Sequence, residues 1–171
     1  MNKKSSNNSN SAVSEEPKFI TDASLARLAK WLRILGYDTV VFPREAGRAM
    51  LRVADVEGRI VITRRTDMVE RQFSGILFLI NDVIVANQLK LVIERFSLKI
   101  DRGKMFKICL ECNEKLNSVK KEDVRDLVAP YVFENCSEFN QCPRCQKIYW
   151  MGTHPRNVLR FMERHIPNHL P

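Results

Sequence analysis

From residue 18 onward, blocks of apolar residues recur with two different periods. KFIT is a short apolar run that predicts a strand, with Asp22 directly after it. In SLARLAKWLRILG, Leu25, Leu28, Ala29, Leu32 and Leu35 fall at helical spacing and form one stripe. Gly36 stands where a helix-ending glycine belongs. DTVVF predicts a second strand closed by Pro43, and residues 45–57 a second helix with Met50, Leu51 and Ala54 inward, ended by Gly58. RIVIT has the β-branched continuity of a strand buried on both faces. Residues 66–73 read as a short helix and ILFLI as a fourth strand. VIVANQLKLVIERF reads as a long helix with Ile84, Leu89, Val92, Ile93 and Phe96 inward.

Strand and helix alternate across residues 18–96, which predicts an α/β domain: a parallel sheet with right-handed crossovers, packed between helices. Ligands of such sheets sit outside the carboxyl ends of the strands. The residues there are Thr21 and Asp22, then Thr63, Arg64 and Arg65, then Asn81 and Asp82. The pattern changes between Asp101 and Met105, where cysteines enter and helical runs shorten. The chain therefore divides into a sheet domain at 17–104 and a smaller unit at 105–171. Within the second unit, KKEDVRDLV predicts a helix. Residues 155–165 predict another, with Val158, Leu159 and Met162 inward and Arg156, Arg160 and Arg164 as a basic stripe. Residues 1–16 are rich in Ser and Asn and read as a disordered tail. No run approaches the ~18 apolar residues of a membrane span, and the N-terminus has no apolar signal core, so the expected location is cytoplasmic, with an organellar one left open.

Charge adds a partner class. The 171 residues include 28 Lys and Arg against 20 Asp and Glu, a net charge of +8. Most of the excess lies before residue 106, which favours a polyanion over plain solubility as its reason. Cysteine spacing adds a metal. Cys109-Leu-Glu-Cys112 and Cys142-Pro-Arg-Cys145 are two C-x2-C knuckles separated by residues 113–141. Two such pairs make a closed four-thiolate site, the chemistry of structural zinc. Cys136 lies outside the pattern. His154 admits several roles: ligand, base, phosphate contact, or simply a histidine at a helix start. Tyr149 and Trp150 either stack on unpaired bases or belong to the core.

The segments KFITDASLARLAKWLRILGYDTVVF, EGRIVITR, NQLKLVIERFSL, CLECNEKL and FNQCPRCQKIYWMGTH, in this order and spacing, resemble the PIN-like ribonuclease domain with an attached zinc ribbon, the Mut-seven C-terminal RNase domain. The resemblance covers residues 18–165. It implies a PIN-like α/β sheet, an RNA substrate, and carboxylates at the strand ends holding Mg²⁺ or Mn²⁺ where the acidic site is active. Asp22 matches the family's first catalytic acid. After the third strand the family reads threonine, arginine, aspartate, whereas this chain reads Thr63-Arg64-Arg65, so a fixed cation replaces an expected acid. Asp67 and Asp82 are the remaining catalytic candidates, and Glu45 is the acid nearest the second helix. Each aspartate also has a helix-capping alternative.

Arg27, Lys30 and Arg33 on the first helix, with Arg64 and Arg65 at the rim, are the candidate RNA contacts, and Arg44, Arg48 and Arg52 extend them. Three functions follow. One is an RNA-binding or RNA-processing protein with a partly degraded acidic site, its enzymatic status open. A second is a non-catalytic RNA-binding or ribonucleoprotein assembly factor. The third is a zinc-ribbon interaction module.

Overall fold

The computed structural model describes residues 16–169, so the tail expected at 1–16 falls, but for Glu16, outside the described residues. Strands β1 (Lys18–Thr21), β2 (Thr39–Val41), β3 (Arg59–Thr63) and β4 (Leu77–Leu79) form one parallel sheet in the order β2-β1-β3-β4. Helices α1 (Ala26–Ile34) and α2 (Arg48–Glu57) are crossovers between its strands, β3 and β4 are joined through a segment with one 3₁₀ turn, and α3 (Val85–Phe96) follows β4. The predicted α/β class is what is observed.

Alternation along the central strands explains the two cores. Phe19 and Ile62 point to the face covered by α1 and α3, where they meet Leu28, Leu32, Leu89 and Val92. Ile20 and Val61 point to the opposite face, against Met50, Leu51 and Ala54 of α2. β1 and β3 are therefore apolar on both sides, as a parallel sheet between helices requires. Phe19 meets Tyr37 and Phe96 edge-on at ring-centroid distances of 6.2 and 5.6 Å, an arrangement aromatic quadrupoles favour. Gly36 ends α1 at φ +94°, and a Cβ there would come within 2.7 Å of the Lys104 carbonyl oxygen.

Beyond residue 105, β5 (Asn117–Val119), β6 (Phe139–Gln141) and β7 (Ile148–Trp150) form an antiparallel sheet, with α4 (Pro130–Asn135) between β5 and β6. The last helix, α5 (Thr153–His165), crosses back to the first sheet. Its Phe161 stacks on Trp31 at 4.2 Å, and Met162 and Ile166 join the same buried cluster as Phe19.

Several elements differ from the sequence reading. KKEDVRDLV forms only a 3₁₀ turn at Lys121–Val124. Val124 is its one buried residue and Leu127 stays 60% exposed, so no apolar face exists to hold a longer helix. Pro130 instead opens α4, a helix the pattern did not predict, after Ala129 in the extended conformation that a following proline favours. The helix expected at 66–73 is a single turn, Thr66–Met68, with only Met68 buried. Ile84 is not inward: it caps α3 from outside and is 57% exposed. Among the described residues, no helix is long and apolar enough to cross a membrane.

Candidate metal centre and strand-end site

The two cysteine knuckles are built alike. In each, the residue after the second cysteine adopts a left-handed backbone, Asn113 at φ 63° and Gln146 at φ 61°. Its N–H returns to the carbonyl of the first cysteine, Cys109 or Cys142, at 3.0 Å in both cases. The Cys112 and Cys145 N–H groups point at the Cys109 and Cys142 sulfurs, at 3.4 and 3.5 Å. All four Sγ atoms lie within 4.8 Å of one another, and Cys109 and Cys145 are 3.7 Å apart. A tetrahedron with metal–sulfur bonds of about 2.3 Å needs sulfurs roughly 3.8 Å apart. The four thiols can thus hold one metal ion such as zinc.

A further layer surrounds them. The Tyr149 hydroxyl accepts from the Leu110 N–H at 3.1 Å and lies 3.2 Å from Cys109 Sγ. Burial would raise the Cys109 thiol, but the Tyr149 hydroxyl and backbone N–H groups outweigh it and bring the thiol down to about 7. With its hydroxyl engaged here, Tyr149 anchors the knuckle.

The first knuckle is also tied to the parallel sheet. Arg33 is 4% exposed, and its guanidinium donates to the Thr39 carbonyl at 2.8 Å and to the Leu110 carbonyl inside the knuckle. Burial lowers its basicity against the pull of Cys109 and Glu111. The Asn113 side chain accepts from the Thr39 N–H at 2.8 Å and donates to Asp38, which Arg59 also binds at 2.7 Å. Arg33, expected at a nucleic-acid surface, is therefore an internal brace. An exposed helical face is the ordinary place for an arginine, so periodicity alone gave no sign of its burial. Lys30 is exposed and pairs with Glu111 at 3.0 Å, while Arg27 and Arg64 are exposed.

At the carboxyl ends of the sheet, the acids have other partners. Asp22 is buried, and its Oδ1 accepts from the Ser24 N–H and hydroxyl. Its Oδ2 accepts from the Thr63 hydroxyl at 2.6 Å and the Arg64 N–H at 3.3 Å. Four donors fill the four acceptor positions of a carboxylate. Burial would raise this carboxyl, but those hydrogen bonds hold it below its ordinary value. Asp67 binds the Arg65 Nε at 2.9 Å and Arg71 at 2.9 Å. These two guanidinium groups bring its carboxyl down to about 2. Arg65 also reaches Glu45, at 2.8 Å. Because β1 lies between β2 and β3, this ion pair joins the loops on either side of β1. Asp82 accepts from the Ile84 N–H at 2.7 Å and from Asn87 at 2.9 Å, which draws it below its ordinary value, helped by Arg64.

Among the described residues, the four cysteines are the only group of three or more potential ligands close enough to hold a metal. Asp22, Asp67 and Asp82 form no such group. The acids as placed do not fit a two-ion site, whose metals stand roughly 4 Å apart within a shared carboxylate shell. His154 lies in the first turn of α5.

The architecture is thus an α/β domain of parallel topology joined to a ribbon whose four thiols can hold a metal ion. The chain belongs to the Mut7-C RNAse domain family, whose model matches residues 17–162. No curated protein and no solved structure matches it significantly.

Proposed function

We propose that the protein binds RNA along the rim at the carboxyl ends of β1, β3 and β4, and that a guanidinium rather than a divalent cation balances the acids there. The observation that carries this reading is Arg65, which holds Asp67 and Glu45 together in one ion-pair chain. Arg64 and Arg27, both exposed, supply phosphate contacts at or near this rim. The four thiolates hold structural zinc, which fixes the ribbon against the sheet. In this reading the domain recognises RNA without metal-dependent cleavage. Family membership favours a second reading, in which Asp22, Asp67 and Asp82 rearrange around Mg²⁺ or Mn²⁺ and cut the strand.

One assay separates them: RNA binding and cleavage with Mn²⁺, for the wild type, Asp22→Asn and Arg64→Ala. The expected result is salt-sensitive binding, weakened in Arg64→Ala, with no cleavage by any form. Mn²⁺-dependent cleavage that disappears in Asp22→Asn establishes the second reading instead. An affinity for RNA indifferent to salt sinks both.

A further inference from the structure

A cleft of about 630 Å³ lies between α2 and the segment 70–74, and its Arg71 shares Asp67 with the Arg65 ion pair of the rim. This volume falls in the range of sites that enclose a small organic ligand. Three arginines line it: Arg48 and Arg52, one helical turn apart on α2, and Arg71 opposite them. The ion pairs among the described residues include neither Arg48 nor Arg52, so both guanidinium groups are available. Arg71 pairs with Asp67 at 2.9 Å, which holds its guanidinium in place beside the cleft. Two acids also line the cleft, Glu70 and Asp55, the latter accepting from the Ser74 hydroxyl at 2.8 Å, against three arginines.

Phe73 forms the apolar part of the wall. Its ring rests on Gly75, where a Cβ would come within 2.5 Å of Phe73 Cζ, so only glycine allows this placement. Planar bidentate donors beside an aromatic ring suit a phosphate attached to a nucleobase, the guanidinium forks taking the oxygens and the ring the base.

We propose that this cleft holds one nucleotide, its phosphate on Arg48, Arg52 and Arg71 and its base against Phe73. The inference rests on the RNA reading only for the choice of a polymer as the source of that nucleotide. Titration calorimetry of the full chain with AMP, with adenosine and with a short single-stranded RNA tests it. AMP binds and adenosine binds at least about tenfold more weakly, because the phosphate supplies the charged hydrogen bonds. The double variant Arg48→Ala/Arg52→Ala, two exposed positions whose loss leaves the melting temperature in place, weakens AMP by about tenfold or more. Phe73→Leu weakens AMP but not inorganic pyrophosphate. RNA that competes with AMP identifies a strand nucleotide, and RNA that does not identifies a free one. No AMP binding at millimolar concentration, or AMP binding unchanged in the double variant, overturns the proposal. RNA binding lost in Arg64→Ala but intact in the double variant leaves the rim reading standing and removes the cleft from the RNA path. AMP binding without RNA binding leaves the cleft proposal standing and removes the rim reading.

Discussion

The cysteine centre and the strand-end acids are both sets of potential metal ligands gathered by loops, and they end in opposite states. In the first, four sulfurs converge and their main hydrogen bonds come from N–H groups and a hydroxyl around them. In the second, every carboxylate already has donors of its own, and Asp67 is paired with the Arg65 and Arg71 guanidinium groups. What separates a ligand set from a set of caps and ion pairs is whether the lone pairs remain free, and this is decided by neighbours rather than by residue type.

The sharpest way to break this contrast is to remove the metal. Cys142→Ser, or chelation, abolishes stoichiometric zinc and costs several kcal/mol, on the scale of structural zinc sites. Because Leu110 and Asn113 of the first knuckle hold Arg33, Asp38 and Thr39, the parallel sheet melts earlier too. Metal analysis with a circular-dichroism melt checks both, and a sheet indifferent to chelation would show the brace to be idle. Next in size is Arg33→Leu. It strands the Thr39 and Leu110 carbonyls in a buried setting, at a cost of about 3 kcal/mol in denaturant unfolding. A surface-like loss of a few tenths would restore Arg33 to the list of RNA contacts.

Asp22→Asn sets an amide where the Thr63 hydroxyl and the Arg64 N–H both donate, and costs about 1–3 kcal/mol. Stability unchanged by the substitution, with weaker Mn²⁺ binding, would turn Asp22 from a structural acid into a ligand. The smallest effect is acid sensitivity at Asp67. Its carboxyl titrates near 2 in the fold against 3.8 for an isolated aspartate. The contribution is therefore complete above about pH 4 and lost as the pH falls through about 2. Asp67 is 43% exposed, so the solvent-screened gain is small. NMR titration of the side-chain carboxyl checks it, and an ordinary midpoint would mean that Arg65 faces elsewhere.

The legible and illegible parts of the chain divide along physical lines. β3 falls on RIVIT and β1 on KFIT, because burial on both faces leaves a continuous apolar run. The stripe Leu25, Leu28, Ala29, Leu32, Leu35 is buried throughout, since helical period and core contact coincide there. The four cysteines could be read from spacing alone. Arg33 could not: its partner Leu110 is 77 residues away, and an arginine on a helix carries no local mark of burial. Nor could the Arg65–Glu45 pair, which exists only because the strand order puts the loops after β2 and β3 on either side of β1. α4 was hidden by its own composition, having no buried residue to give a period.

Arg65 has one more consequence. A metal ion held by four thiolates can be released by chelators, by acid and by oxidation of the sulfurs. A guanidinium bonded to its own chain is not exchangeable. Its charge persists at any pH at which the protein is folded, and its local concentration never falls. The two halves of this protein therefore differ in kind: the ribbon offers four thiols to an exchangeable ion, while the rim carries a counter-ion written into the gene.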